Sequence, residues 1–181
     1  MIYGERIRLR AIEREDLPTF VEWLNDPEVI AGLVIYVPMS LEDESKWFEG
    51  LSNRPAEERP LCIEVKTEEG WRKIGNAGLH NIEWTHRAAE MGIVIGEKAY
   101  WNQGYGAEAM TLLLEYGFET LNLNRMFLRV YENNPRAIRA YEKAGFVHEG
   151  RMRQDHYADG RYYDVLLMSV LRSEWDARKT K

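Results

Sequence analysis

A glycine pair at a helix start offers the first chemical reading. Met91-Gly-Ile-Val-Ile-Gly96 reads as a strand, and Gln103-Gly104-Tyr105-Gly106-Ala107 opens a helix. Glycine is needed where backbone passes close to a ligand, because a Cβ there would clash. A helix start presents unpaired N–H groups and the positive end of its dipole, an arrangement suited to a phosphate or diphosphate. The plainer alternative is an ordinary glycine-rich loop. Gly104-x-Gly106-x-x-Ala109 also satisfies the dinucleotide-binding pattern, with Glu132 near the place of its ribose-binding acid. That pattern sets its first glycine directly after the strand, whereas Lys98 to Gln103 intervene here. It also needs further strand–helix units, and too little chain follows Glu132.

Other reactive side chains each carry a structural alternative. Tyr141 shares a helix face with Ala137, Ile138 and Ala144, so by itself it reads as a core aromatic. Cys62 lies between Leu61 and Ile63 in an apolar run, where a small buried thiol is expected rather than a nucleophile. His80, His86 and His156 stand alone, and no Cys/His/carboxylate spacing suggests a metal site.

The elements that would position these groups follow from periodicity. Glu5 to Ile12 alternates charged and aliphatic residues as a half-buried strand does. Glu15 to Asn25 carries Leu17, Phe20, Val21 and Leu24 at helical spacing and stops at Asp26-Pro27. Ser40 caps a second helix to about Leu51, with Asp43 completing a near capping box. Its acids, Glu42, Asp43, Glu44 and Glu49, would attract a cation or simply form a solvated face. The apolar connection Glu28 to Pro38 is a lid, a pocket wall or a buried loop. Strands are expected at Pro60 to Lys66, Trp71 to Ile82 and Arg87 to Gly96, the first two joined by a Glu68-Glu69-Gly70 turn. A helix over Gly104 to Leu121 and a strand over Arg125 to Tyr131 follow. The next helix has sharp ends: Asn134 as N-cap, Pro135 as its first residue, Gly145 just past its end. Strands Phe146 to Tyr157 and Tyr162 to Leu171 flank Ala158-Asp159-Gly160. Early antiparallel strands before two strand–helix crossovers give an α+β or mixed α/β class.

Composition limits the function. A chain of 181 residues without linker, repeat or low-complexity tract fits one domain spanning 1–181. A net charge of −6 argues against nucleic-acid binding, which uses a basic face, and suits a cationic partner such as an amine. One cysteine excludes an internal disulfide and fits a reducing cytoplasm. The start carries charge without an apolar signal core, and Val29 to Leu41 is too short to span a bilayer.

Together, Gly92 to Phe146 resemble the GNAT N-acetyltransferase superfamily. Trp101-Asn-Gln-Gly-Tyr-Gly-Ala-Glu-Ala looks like its acetyl-CoA diphosphate loop. Asn134-x-x-Ala137-x-x-x-Tyr141-x-Lys143-x-Gly145-Phe146 looks like its second signature. The opening Glu5-Arg-Ile-Arg-Leu-Arg and the closing Asp159-Gly160-Arg161-Tyr162-Tyr163-Asp164 resemble the branch of RimJ/RimL-type ribosomal-protein N-terminal acetyltransferases and spermidine N-acetyltransferases. Trp101 stands where the superfamily often has Arg or Gln. The RimJ/RimL branch commonly has Trp there, while Tyr141 leans toward the spermidine enzymes or toward an acid-using relative.

The resemblance implies a central, mostly antiparallel seven-stranded sheet flanked by about four helices, and acetyl-CoA as donor. It places Trp101, Asn102, Gln103, Gly104, Tyr105, Gly106, Ala107, Asn134, Ala137, Tyr141 and Lys143 on the cofactor. It puts backbone oxyanion donors near Val94, Ile95 and Gly96, Tyr141 as the acid for the departing thiolate, and Glu90 as the base. His80, His86 and His156 are the alternative bases, and loss of the proton through water is a further route. The acceptor is then a primary amine, either a protein N-terminal α-amine or a small amine or polyamine such as spermidine, acetylated directly in a ternary complex. A homodimer through the terminal strands is the expectation for this branch. The alternative from another class is a non-catalytic acyl-CoA-binding sensor, for which a proton-donating Tyr141 has no use.

Overall fold

The computed structural model describes residues 1–179. Eight strands form one sheet in the order β1-β2-β3-β4-β5-β6-β8-β7. They are β1 (Ile2–Tyr3), β2 (Ile7–Ala11), β3 (Leu61–Thr67), β4 (Gly70–Glu83), β5 (Ala88–Ile95), β6 (Arg125–Tyr131), β7 (Val147–Ala158) and β8 (Arg161–Leu171). Neighbours run antiparallel except β5 and β6, which are parallel. The helices are α1 (Leu17–Leu24), α2 (Pro27–Ile30), α3 (Leu41–Gly50), α4 (Tyr105–Glu115), α5 (Pro135–Ala144) and α6 (Arg172–Lys179).

The mixed, mostly antiparallel class is therefore as expected, with one strand more than the seven anticipated. The extra strand is β1, two residues that pair Ile2 with Leu9; so short a segment has no period to read. α6 was also not expected, because Trp175 is its only buried residue. The regular part of α4 ends at Glu115 rather than Leu121, and Tyr116–Thr120 continues as a wider π turn.

The sheet is covered on both faces. Adjacent residues of a strand point to opposite sides, and on β3 Ile63 joins the main core while Cys62 joins a second cluster. The main core packs α4 on the sheet through Met110, Leu113 and Leu114, with Phe118 just beyond it, and α5 joins against α4 through Tyr141 and Ala144. The second cluster seats Phe20 and Trp23 of α1 beside Val29. Between α1 and the sheet lies an ion-paired layer: Arg10 donates to Asp16 at 2.6 and 2.9 Å and to Glu64 at 2.8 Å, and Lys73 approaches Asp16 at 3.3 Å.

The sharp-ended α5 forms as its termini dictate. Asn134 accepts the Ala137 N–H at 3.1 Å, Pro135 starts the helix, and Gly145 at φ +100 ends it. α3 has its capping box, with the Asp43 N–H donating to Ser40 Oγ at 3.1 Å and the Ser40 N–H reaching back to Asp43.

Candidate functional site

The parallel pair is where the sheet opens. β5 and β6 pair only from Ala88↔Arg125 to Glu90↔Phe127. Beyond that point β5 stays on β4 as far as Ile95, and β6 stays on β8 as far as Tyr131. The strands part into a cavity of about 800 Å³. One wall is the freed edge of β5, the other is β6 with α5, and the first turn of α4 closes one end.

Which β5 groups face the gap follows from strand parity. The Gly96 N–H donates to Ile74 O at 2.9 Å, so it faces β4. Alternation then turns Val94 toward β4 as well, and Ile93 and Ile95 toward the gap. The Ile95 carbonyl confirms the direction, since it takes the Trp101 indole N–H at 2.7 Å. Of the three expected donors, only Ile95 thus has its N–H on the open side. Gly96 is also not glycine for want of pairing: a Cβ there would lie 2.1 Å from Trp23 Cδ2.

The α4 entrance fits a diphosphate. Gly104 sits at φ +88, the left-handed region that favours glycine, and a Cβ on Gly106 would meet only Ile95 Cγ1 at 3.8 Å. The first bond of the helix runs from the Glu108 N–H to Gly104 O, which leaves the N–H groups of Tyr105, Gly106 and Ala107 without helical partners. Facing them, α5 brings Arg136, Arg139 and Lys143 to the cavity. The Arg136 guanidinium lies 3.4 Å from the Trp101 ring centroid, and burial lowers its pKa. The cavity end is therefore cationic, with backbone amides aimed into it and room for backbone to approach a ligand.

All the expected site residues except Gly96 and Gln103 line the cavity. Gln103 is turned away, its side chain donating to Ala99 O at 2.6 Å while its carbonyl receives Arg6. Tyr141 belongs to the core and to the cavity wall at once. Its ring packs in the main core, 5.9 Å from Phe146, and it also lines the cavity. Burial pushes its phenol up to about 12.

Glu90 begins the opposite end. Burial raises its pKa, but the Arg129 hydrogen bond at 2.9 Å, the Arg129 charge, Asn81 at 3.2 Å and His80 outweigh that and lower it. His80 is 3.7 Å from the same carboxylate and lines the cavity, whereas His86 faces Glu83 on an exposed turn. Tyr131, Asp155 and His156 complete this end. The segment between α1 and α3 forms its outer wall through Val29, Gly32, Leu33, Val34 and Tyr36. Asn25 closes the base of that segment by exchanging hydrogen bonds with Met39, and Lys98 ties it to the sheet through Asp26 at 2.6 Å and Glu28 at 2.7 Å. Of the readings for Glu28 to Pro38, the pocket wall matches this placement.

Arg129, Arg136 and Tyr131 were not picked out from sequence. Arg136 lies one α5 residue before Ala137 and could have been found from helix spacing. The other two depend on where β6 stops pairing with β5.

Among the described residues, no group of three or more His, Cys, Asp or Glu side chains could hold a metal ion, and no helix is long and apolar enough to cross a membrane.

A sheet parted between parallel strands, with a helix N-terminus at one end and a phenol on the wall, agrees with the acetyltransferase frame that the sequence resemblance implies. Residues 6–147 match the acetyltransferase (GNAT) domain family, and the chain belongs to it. It is an N-acetyltransferase with acetyl-CoA as donor. The chain is 32% identical to the spermidine N(1)-acetyltransferase of Vibrio cholerae over 172 residues, 95% of this chain and 96% of that one. It is 29% identical to the spermidine N(1)-acetyltransferase of Escherichia coli K12, over 93% and 88% of the two chains. A crystal structure of spermidine N-acetyltransferase from V. cholerae in complex with CoA and spermine superposes with a TM-score of 0.82 at 29% identity, covering 95% of this chain and 99% of that one.

Proposed function

We propose that the cavity holds acetyl-CoA with its diphosphate on the N–H groups of Tyr105 to Ala107, its pantetheine arm along the freed edge of β5 beside Asn134 and Ala137, and its thioester between Ile95 and Tyr141. A gap with one unpaired strand edge suits the amide groups of such an arm, which can pair with it as a strand would. The Ile93 and Ile95 N–H groups serve as oxyanion donors. Tyr141 returns a proton to the departing thiolate; burial raises the pKa of its phenol and so weakens it as an acid, and the transfer is coupled to the second amine proton that replaces the one it gives. Lys143, Arg136 and Arg139 supply counter-charge to the phosphates.

The acceptor in this reading is a primary amine entering at the Glu90 end. Glu90 pairs with Arg129, and Asp155 lines the same end and acts on that guanidinium by charge alone, so two carboxylates against one cation leave this end balanced for a single ammonium. The wall from Val29 to Pro38 contains no acid. This arrangement carries the proposal: it favours an N-terminal α-amine or a small monoamine with an apolar body. Similarity to the spermidine enzymes supports a polyamine as the second reading. Glu90, expected as the base, is held by Arg129 with a lowered pKa, and here it receives the acceptor's charge.

We further propose one domain over the whole chain, a cytoplasmic location, and a homodimer formed through the free β7 edge, where Val147 and Tyr157 are exposed. Light scattering tests the dimer; a monomer at micromolar concentration refutes it. Thiol release from acetyl-CoA across tyramine, short peptides with free N-termini, spermidine and spermine tests the activity. Acetylation of the monoamines or peptides is expected. Acetyl-CoA binding without turnover on any amine would leave the acyl-CoA sensor instead.

A further inference from the structure

One polar atom in the cavity wall has no protein partner. His156 on β7 is 5% exposed and lines the cavity, and its Nε2 is the one buried side-chain nitrogen or oxygen without a hydrogen bond among the described residues. Leaving such an atom unpaired costs about 1–3 kcal/mol, so its presence in a cavity-lining residue calls for a reason, of which a catalytic role is one.

The ring is held in place by aromatic side chains of β6 and β8. Tyr131 on β6 stacks on it at 3.6 Å and 4°, and Tyr163 on β8 lies 6.3 Å away. Its position depends on a bulge. Met152 pairs with Val165 and His156 with Tyr163, so β7 advances four residues while β8 advances two. Gln154 takes the turn at φ +54, and its N–H donates to Asp164 at 2.8 Å. Phenylalanine would fill the same stack without the unpaired nitrogen, so packing alone does not call for histidine.

We propose that His156 Nε2 receives the proton of the acceptor amine; this rests on the acetyl-transfer reading above. The acceptor enters as R–NH3⁺ and gives one proton to Nε2. Its freed lone pair forms the C–N bond to the thioester carbonyl carbon, and the C–S bond breaks. Tyr141 gives its phenolic proton to the sulfur, and the second amine proton returns to the tyrosinate. The products are the N-substituted acetamide, free CoA thiol and a protonated His156, which loses its proton to water. Of the titratable and charged groups around it, Tyr131 from β6 and Tyr163 from β8 lie against the ring, and Arg129 from β6, Asp155 beside it on β7, Glu90 from β5, His80 from β4 and Tyr36 from the apolar wall line the same cavity. Glu90 is already engaged by Arg129, which leaves His156 as the buried group at this end with an unused lone-pair or proton site.

The test compares wild type, His156→Phe and His156→Gln with acetyl-CoA and whichever of tyramine, an N-terminal peptide or spermidine the wild type acetylates fastest. Both variants should lose about 100-fold in kcat/KM, keep the Kd for CoA within about twofold by calorimetry, and lose the acid limb of the wild-type kcat/KM–pH profile. His156→Phe should melt no lower than wild type; if it fails to fold, His156→Gln carries the comparison. A folded variant within about threefold of wild type, with the acid limb unmoved, overturns the role of His156 alone. An inactive wild type that still binds CoA overturns the acetyl-transfer reading instead, and this proposal with it.

Discussion

Tyr141→Phe separates the catalytic use of the phenol from its packing. The ring is 8% exposed and packed in the main core, so phenylalanine keeps the contacts that a smaller residue would forfeit. The hydroxyl donates to no protein group among the described residues, and its removal should change stability by less than about 1 kcal/mol. Turnover should respond differently. A positioned general acid contributes roughly 10²–10⁴-fold, or about 2.7–5.5 kcal/mol of barrier. With the phenol pushed up to about 12, its proton stays bound across the neutral range, so the wild-type rate should show no basic limb from this group below about pH 11. Thiol-release kinetics, CoA calorimetry and thermal melting on the same preparations give all three readouts. The reasoning is refuted if kcat stays within about threefold of wild type, or if CoA affinity and the melting midpoint fall along with it. Either result would make Tyr141 a packing residue.

Gly104→Val should weaken CoA binding by more than about tenfold, roughly 1.4 kcal/mol, because a β-branched residue resists φ +88; circular dichroism should stay unchanged, and full affinity would show the loop is misassigned. Asp16→Asn should cost about 3 kcal/mol at pH 7, measured by urea unfolding, because it takes from the Arg10 guanidinium one of its two buried carboxylates, leaving Glu64 alone. Burial raises the Asp16 pKa, but Arg10, the Glu13 N–H and Lys73 outweigh it and lower it. The stability from that shift is present above the unfolded value of about 3.9 and lost as pH falls below it, so the gap between wild type and variant should narrow in acid. Cys62, fully buried with its thiol pushed up to about 12, should resist alkylation in the native protein at pH 8 and react promptly in urea; fast native labelling would contradict its placement.

How much of this was readable depended on whether the signal was local. The ends of α5 were, because Asn134, Pro135 and Gly145 act on their own backbone. The Ser40–Asp43 box on α3 and the Gly104 turn were legible for the same reason. Which N–H groups of β5 face the gap is not legible, since that is fixed by hydrogen bonding to β4, of which the sequence of β5 carries no trace. Arg129 pairs with Glu90 across 39 residues, and that pairing emerges only once β5 and β6 lie side by side. His156 was one of three lone histidines until the β7 bulge turned it into the cavity wall. α6 escaped notice because one buried tryptophan in eight residues makes no periodic stripe.

The diphosphate cradle is tested most directly by following backbone amide resonances while CoA is titrated into the protein. The Tyr105, Gly106 and Ala107 amides should shift most, with Ile93 and Ile95 moving alongside them as the arm lies down on β5. Saturable shifts confined to other surfaces, with the α4 entrance unmoved, would contradict the placement of the donor and every catalytic role derived from it.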